Sequence, residues 1–385
     1  IKNLREALNE PFKKTDISDA QKAEKILEKE QLQTTKNVEN VISELEKQRV
    51  PFEMLLNLYL TKYFSSQPNN QELKELFDVI VGYLKKNPDE CMKILELIRS
   101  NKIPEKGSGI LFLMLEKAGH RKVQETLLSI LENSSAFTRL SQVRAAGALI
   151  GIPHIQADLF DRMIALEQSG NISEIDGRNS LMLTIAGLGR SAHNPAIRAK
   201  AENYIRSKLM EAQNVSDISN AVLLDAVANL GNPNLLPMLE RFIFEAKHEA
   251  VKHHAILALT HMPEKDANPL IMKILNGKDI YNIGSAVEVL KKREAFNQTK
   301  TIDLEINKKL VELLPTTTNS FDVRKNIAEY LTINKENHEM LLKIADNKKE
   351  HFEIRKVIYQ NIPVSEPKIE RVQPGQMRKK KGRAY

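Results

Sequence analysis

The chain of 385 residues contains no tryptophan and one cysteine, and aromatic residues make up only 5% of it. With Cys91 as its single cysteine, the chain can form no intrachain disulfide and no cysteine-ligated metal site. This cysteine usage is normal for a cytosolic protein, compatible with a periplasmic or bacterial secreted one and unusual for an extracellular eukaryotic one. Since no apolar run reaches the roughly 18 residues that a spanning helix needs, we expect no transmembrane segment.

Most of the net positive charge of the chain lies at its C-terminal end. The net charge is +7, and residues 361–385, with seven basic and two acidic side chains, supply +5 of it. The rest of the chain carries the remaining +2 without a basic stripe, which does not favour nucleic acid as a partner. The tail run predicts contact with an anionic partner or a basic processing site, and a solvated end that only aids solubility is the alternative. Its basic residues are Arg378, Lys379, Lys380, Lys381 and Arg383.

The pattern that is present is helical. Apolar residues recur at helical spacing between short breaks, without strand-like alternation, and predict some twenty helices of about 10 to 18 residues. Residues 1–36 read as charged N-terminal helices and residues 37–362 as one repeat array. We expect residues 363–385, rich in Pro, Gly and Lys, to be disordered or bound to a partner.

One short signature repeats along the array. A β-branched residue stands beside a basic one, and further small or apolar positions follow four and about eight residues later, as on one helix face. Such self-similarity is typical of stacked helical hairpins. The sequence therefore predicts an all-α protein, a right-handed α-solenoid of antiparallel hairpins. The copies are Val143-Arg144, Ile197-Arg198, Val323-Arg324 and Ile354-Arg355, with Val251-Lys252 as a fifth.

The signature resembles that of HEAT repeats. The resemblance implies that the β-branched residue packs inward and that the basic one reaches carbonyls or a carboxylate of the adjacent repeat. We therefore assign a structural role to Arg144, Arg198, Lys252, Arg324 and Arg355. Arg144, Arg198 and Arg324 in particular are expected to bond into the adjacent hairpin.

A more specific resemblance begins in Leu223–Pro263, where a helix carrying Leu-Leu-Asp-Ala-Val-Ala-Asn-Leu ends at Gly231 and Pro233 opens the next. With Gly107–Leu131 and Asn179–Gly189, this segment resembles the helical domain of the vitellogenin and microsomal triglyceride transfer protein family. The similarity covers roughly residues 70–362. It implies the helical arch of a lipid carrier, located outside the cell or in the periplasm; without it we expect a cytoplasmic protein. The strand-rich segments that flank the arch in that family are missing here.

Candidate chemistry is sparse. The histidine cluster, His248, His253, His254 and His261, lacks zinc-protease spacing because Lys252 occupies the position that would need a histidine. We interpret it as a polar helix face that binds no metal. Gly187 and Gly189 are fragments of a phosphate-loop pattern, as are Gly107 and Gly109, but with no preceding strand or lysine we predict helix caps. Cys91 is expected to pack in the core.

Two functions follow from these patterns. The first is a non-enzymatic scaffold, without cofactor or metal, whose curved repeat surface holds a protein partner. The second is the helical arch of a lipid-transfer or lipoprotein particle, which rests on the family resemblance. A lipid arch would copurify with acyl lipids or expose a large apolar patch, whereas a scaffold would do neither.

Overall fold

The structure is a computed structural model that describes Ala23, Ile26 and residues 35–65, 68–172, 174–212, 214, 216–296, 303–316 and 320–362. Regular secondary structure in these ranges is helical, and none of their residues belongs to a β-strand. The all-α prediction is therefore confirmed. Within the predicted N-terminal segment, residues 1–36, the structure describes only Ala23, Ile26, Thr35 and Lys36. The predicted tail, residues 363–385, lies outside the described residues.

Packing divides the chain into two compact units, Ile1–Ala267 and Asn268–Tyr385, which we call unit 1 and unit 2. The division falls inside a helix, Glu264–Leu275. Neither a composition shift nor a Pro- and Gly-rich linker marks it in the sequence, and the sequence analysis gave no boundary there.

The helices of unit 1 follow one another through short loops. They are α1 (Thr35–Lys47), α2 (Phe52–Tyr63), α3 (Asn70–Lys86), α4 (Cys91–Arg99), α5 (Glu105–Ala118), α6 (Arg121–Glu132), α7 (Arg139–Ile150), α8 (Ala157–Ser169), α9 (Ile175–Ser191), α10 (Pro195–Glu211), α11 (Asn220–Leu230), α12 (Leu236–Phe244) and α13 (Glu249–Leu257). The next helix, α14 (Glu264–Leu275), crosses into unit 2. Single 3₁₀ turns lie at Pro88–Glu90, Ser134–Ala136, Pro233–Leu235 and Ala258–His261.

Unit 2 continues with the same kind of element. Its further helices are α15 (Ile280–Phe296), α16 (Leu304–Thr316), α17 (Phe321–Leu331), α18 (His338–Asp346) and α19 (Phe352–Asn361), with a 3₁₀ turn at Lys335–Asn337. At the start of several helices in both units, the side chain of the N-cap residue accepts hydrogen bonds from backbone N–H groups of the first turn. Asn69, for example, accepts from the N–H of Gln71 and Glu72 at the start of α3.

Alternate helices contact one another. In unit 1, α1, α3, α5, α7, α9, α11 and α13 touch in that order and form a first row, and α4, α6, α8 and α10 form a second. In unit 2, α15, α17 and α19 touch in order. One of these contacts includes a hydrogen bond: the Thr184 hydroxyl of α9 donates to the Ala146 carbonyl of α7 over 2.9 Å, at fully buried positions. Each helix thus buries its apolar side against helices close to it in sequence.

Glycine ends several helices where the backbone turns left-handed. Gly119, Gly170 and Gly231 follow α5, α8 and α11 with φ of +63°, +69° and +63°, a region that side chains with a Cβ enter at a cost. For Gly231 this is the predicted conformation, and it is confirmed. Pro233 then opens the 3₁₀ turn that precedes α12.

Other glycines that were predicted as caps lie inside helices, so that prediction is wrong. Gly107 and Gly109 belong to α5, and Gly187 and Gly189 to α9. Packing gives the reason for Gly189: a Cβ built there would lie 2.3 Å from the Cβ of Ala201 in α10. Glycine at this position lets α9 and α10 approach closely, and its backbone does not adopt the left-handed conformation.

Two glycine substitutions separate these effects. We expect Gly189→Ala to lower the free energy of unfolding by about 1–3 kcal/mol, because the added methyl group overpacks the α9–α10 contact. Gly147→Ala in α7 is the matched control: it is exposed, with no atom within 4 Å of a built Cβ. There the substitution should stabilise by about 0.5–1 kcal/mol through helix propensity. Denaturant unfolding of both variants measures this, and equal effects at the two sites would contradict the packing argument.

Candidate functional site

The Val-Arg signature falls into register when it is counted from the start of each helix. In α10, α17 and α19 the third residue is β-branched and buried, and the fourth is arginine. In α13, whose N-cap is His248, Val251 is third and buried and Lys252 is fourth. The three arginine copies are Ile197-Arg198, Val323-Arg324 and Ile354-Arg355.

Each of these arginines caps the helix that precedes its own. Nε of Arg324 donates to the Leu314 carbonyl over 3.0 Å, and Nε of Arg355 to the Ala345 carbonyl over 2.7 Å. Both carbonyls lie in the last turn of the preceding helix, where carbonyl groups have no partner within the helix and a cation is favoured. The arginine therefore locks the turn between two consecutive helices.

Arg324 also reaches onward. Its two Nη atoms lie 2.8 and 2.7 Å from the two carboxylate oxygens of Glu350, just before α19. The Glu350 side chain is only 6% exposed, and one of its oxygens also accepts from the backbone N–H of His351 over 2.8 Å. Paired bonds of this geometry are among the strongest between charged side chains. They connect α17 to the start of α19, two helices further along the chain.

Arg198 differs from the sequence-based expectation. Its Nε donates to the Ala192 carbonyl over 2.5 Å, directly after α9, and the bond stays within its own pair of helices. The prediction of a bond into the adjacent hairpin is wrong for this residue. The reason is the packing of α10, which lies mainly against α9 and more weakly against α8 and α11, whereas α13 stacks in the first row. This copy is therefore out of phase with Val251-Lys252.

Helix α7 shifts the signature by two residues. Its N-cap is Thr138, so Arg144 is the sixth residue, and Val143 is half-exposed where it was expected to pack inward. The fourth residue is Gln142, which is completely buried and donates to the carbonyls of Ser134 and Phe137 over 3.0 and 3.3 Å. Gln142 therefore performs the task of the arginines. The Thr138 capping signal, counted forward four residues, would have identified it.

Arg144 has a different contact. It donates to the Glu105 carbonyl over 2.9 Å and bonds to the Ser108 hydroxyl, both in the first turns of α5. Helix α5 stacks on α7 in the first row, so this arginine connects neighbouring members of that row.

The four histidines lie in α13 and directly before and after it: His248 is its N-cap, His253 and His254 lie in the helix, and His261 ends the 3₁₀ turn that follows. His248 caps α13 by accepting from the Ala250 N–H, and Nδ1 of His254 lies 2.7 Å from Oδ1 of Asp225 in α11. Within the ranges that the structure describes, no group of three or more His, Cys, Asp or Glu side chains is placed to hold a metal ion. Cross-helix packing accounts for the position of His254.

A polar cleft of about 610 Å³ opens where α8, α9, α10 and α11 meet in unit 1. Its walls combine charged and apolar side chains, among them Glu167, Arg178, Met182, Lys208, Asp217 and Leu223. A second cleft, of about 580 Å³, lies in unit 2 beside Arg324 and Glu350. That one is lined mainly by α18 and the loop that follows it.

The unit 1 cleft contains a buried charge pair. Lys208 Nζ lies 3.1 Å from Glu167 Oε2, and the Glu167 side chain is only 6% exposed. Lys208 also lies 5.8 Å from the ring centre of Tyr204, a distance at which a cation is attracted to the ring. Burial raises the pKa of Tyr204, and the carboxylate of Glu167 raises it further. The phenol of Tyr204 therefore stays protonated. Sequence reasoning missed this group because α8 and α10 bring it together from positions about 40 residues apart.

Comparison with known proteins gives no family for this chain: no protein-family model matches it, and no curated protein matches it.

The tail residues Arg378, Lys379, Lys380, Lys381 and Arg383 lie outside the described residues, and their contact with an anionic partner stays a prediction. In the part of the chain that is described, no helix has the length and apolarity to cross a membrane.

Removing the Arg324 side chain tests its bonds to the Leu314 carbonyl and to the Glu350 carboxylate. Arg324→Ala should lower the free energy of unfolding by about 1.5–3 kcal/mol, because it removes the guanidinium that donates to the buried Glu350 carboxylate and to the Leu314 carbonyl. The control is Lys343→Ala, whose pair with Glu339 is exposed on both sides. It should cost less than about 0.5 kcal/mol. If the two variants lost equal stability in denaturant unfolding, Arg324 would have no structural role.

Cys91 offers a second test. Its thiol is completely buried, 3.1 Å from the Thr126 hydroxyl, and burial raises the pKa of the Cys91 thiol. The thiolate is the reactive form, so we expect labelling of native protein at pH 8 to be at least about 100-fold slower than in denaturant. Because this is the only cysteine, the rate reports on one site. Labelling of the native protein as fast as in denaturant would contradict the burial.

Proposed function

We propose that this chain is a non-enzymatic scaffold, an α-solenoid of antiparallel helical hairpins that holds a protein partner on its first row of helices. The observation that carries the proposal is the contact of alternate helices, in order, along each row. Solenoids bury each hairpin only against its neighbours, and their long repeated surfaces serve as binding faces.

The contacts along α9 and α10 support the hairpin arrangement. Beyond the end of α9, the Ala192 carbonyl accepts from Arg198 in the first turns of α10. At the other end of this pair, Arg178 near the start of α9 and Lys208 near the end of α10 line the same cleft. These contacts at both ends of the pair support an antiparallel arrangement of α9 and α10.

Exposed side chains of the second-row helices form ion pairs with one another. Arg121 of α6 donates to Asp158 of α8 over 3.1 Å, and Lys200 of α10 donates to Asp161 of α8 over 2.6 Å. These partners are 37 and 39 residues apart, about one repeat. Charged groups that neutralise one another in this way are a poor surface for a protein partner, because a partner would have to desolvate them.

Helix α7 of the first row presents an apolar stripe. On α7, Leu140, Val143 and Ile150 are half-exposed or exposed at spacings that place them on one helix face. Gly147 lies between them with no atom within 4 Å of a built Cβ, which leaves a shallow notch in the apolar stripe. We assign the partner contact to this stripe, since an apolar side chain of a partner would fill the notch and bury the flanking residues.

A charged side chain in the notch tests this assignment. Gly147→Arg should leave folding intact, because the position is open, but should weaken a partner's binding at least about tenfold by blocking the stripe. Asn203→Arg, at an exposed position of α10, is the matched control and should leave binding unchanged. Crosslinking in the native cells, followed by quantitative mass spectrometry of the captured proteins, provides the measurement. A partner recovered equally with both variants would overturn the assignment to α7.

The lipid-carrier function is an implication of the family resemblance, and no contact of the described residues favours it over the scaffold. It has its own experiment. Organic extraction of the purified full chain, followed by mass spectrometry, should give no stoichiometric acyl lipid if the scaffold proposal is right. Stoichiometric lipid would replace the scaffold with the arch.

A further inference from the structure

We propose that unit 2 binds an acidic, proline-rich segment of a partner protein along a row of exposed aromatic side chains. This aromatic row consists of Tyr281, Phe321 and Phe352. It belongs to unit 2 and is independent of the partner surface assigned to α7 in unit 1, so either assignment can fail without the other.

The three rings occupy equivalent places in the fold. Tyr281 is the second residue of α15, Phe321 the first of α17 and Phe352 the first of α19. These three helices touch in that order. Each helix therefore begins with an aromatic side chain beside that of its neighbour in the chain of contacts.

Two contacts show that the starts of the three helices lie level. A Cβ built at Gly284 in α15 would lie 2.9 Å from Cγ2 of Val323 in α17. The ring centres of Phe321 and His351, which directly precedes α19, are 4.1 Å apart. The aromatic row therefore follows one edge of unit 2 from α15 to α19.

The rings of the aromatic row are exposed in a chain that has few aromatic residues. Tyr281 and Phe352 are each 65% exposed, and Phe321 is 36% exposed. Among the residues that the structure describes, the other exposed aromatic side chains are Phe244 in unit 1 and Tyr359 in α19. Aromatic residues are enriched where proteins bind one another, and several exposed apolar groups on one surface mark an interaction site.

The spacing of the aromatic row selects an occupant with a period of three residues. Helices that pack side by side lie about 8–10 Å apart. A polyproline II helix has three residues per turn and rises about 3.1 Å per residue, which gives about 9.3 Å per turn. Prolines at every third position would therefore meet successive rings, in the way that aromatic-lined grooves bind proline-rich peptides.

Unpaired lysines beside the aromatic row select an acidic occupant. One lysine precedes α15, one lies a turn after Phe321 on α17, and two lie in the loop before α19. None of them forms an ion pair within the described residues; they are Lys278, Lys325, Lys348 and Lys349. Acidic side chains between the prolines of a partner would pair with these ammonium groups.

The carboxylates near the aromatic row do not cancel this charge. They are Asp279, Asp322 and Glu353, and Asp279 already accepts from the backbone N–H groups of Tyr281 and Asn282. Unit 2 as a whole has 23 basic and 15 acidic side chains, whereas unit 1 has 34 and 35. Its residues 268–362 alone hold 16 basic and 13 acidic ones. The excess positive charge of the protein therefore belongs to the unit that carries the aromatic row, and it attracts an acidic segment.

The probe is a fluorescent peptide of four Pro-Glu-Ala repeats, titrated with the full chain and followed by fluorescence anisotropy. We expect a dissociation constant below about 100 μM. Two control peptides should bind at least about tenfold more weakly: one of the same composition with prolines at uneven intervals of two and four residues, and one of four Pro-Lys-Ala repeats. No binding of the probe, or equal binding of either control peptide, would show that the proposal is wrong.

A single-stranded oligonucleotide of 20 thymidines is titrated in the same buffer, because aromatic side chains with nearby lysines also bind single-stranded nucleic acid. The proposal predicts that the oligonucleotide binds more weakly than the Pro-Glu-Ala peptide. Tighter binding of the oligonucleotide would assign the aromatic row to nucleic acid and overturn the proposal.

Variants locate the site. Tyr281→Ala and Phe352→Ala should each weaken binding of the probe at least about fivefold, and Lys325→Gln at least about threefold. The matched controls are Phe244→Ala, an exposed aromatic residue of unit 1, and Lys343→Gln on α18, and both should bind as the unmodified chain does. Circular dichroism checks that the variants fold. If one aromatic variant does not fold, the other decides, and unchanged binding by a folded Phe352→Ala or Tyr281→Ala would contradict the proposal.

Discussion

The packing of the first-row helices, each against the next helix but one, is the constraint on which the rest of this structure depends. Helix α9 shows it most completely: it touches α7 through Thr184 and Ala146, and its Gly189 faces Ala201 of α10 with no room for a Cβ. Most of its second half is buried, and the described helices that share most contacts with it, α7, α8, α10 and α11, lie close to it in sequence. Apolar burial supplies the main driving force here, and it is shared out along the chain among neighbours.

Polar contacts then fix the register that apolar packing leaves loose. The side chain at the fourth helical position, Arg324 or Arg355 in unit 2 and Gln142 in unit 1, donates to carbonyls of the segment before its own helix. These bonds set how one helix follows another. The clefts lie where helix ends meet, and there polar groups such as Glu167 are buried by neighbouring helices and not by their own. Both clefts are therefore formed by side chains of several helices and the loops between them.

Helical periodicity and turn residues allowed the all-α class and many of the breaks to be predicted, and Gly231 adopts the left-handed conformation expected of it. The assignments that failed depended on contacts between helices. Gly189 was read as a cap because sequence does not show that Ala201 packs against it. Val143 was read as a core residue because its signature was matched by residue type, while the Thr138 cap sets the true register. The cleft was missed for the same reason: Arg178, Glu167 and Lys208 share no motif and meet only when α8, α9 and α10 are packed.

Hydrogen exchange of the Gly189→Ala variant against the unmodified chain tests the central claim most directly, because it reads local stability along the whole chain. If stability is a sum of neighbouring interfaces, the added methyl group should accelerate exchange in α9 and α10 and in the helices that contact them, α7, α8 and α11. Exchange in α1, α2 and α3, and in α15, α17 and α19, should be unchanged. Equal acceleration throughout the chain would show one cooperative core and would contradict the account.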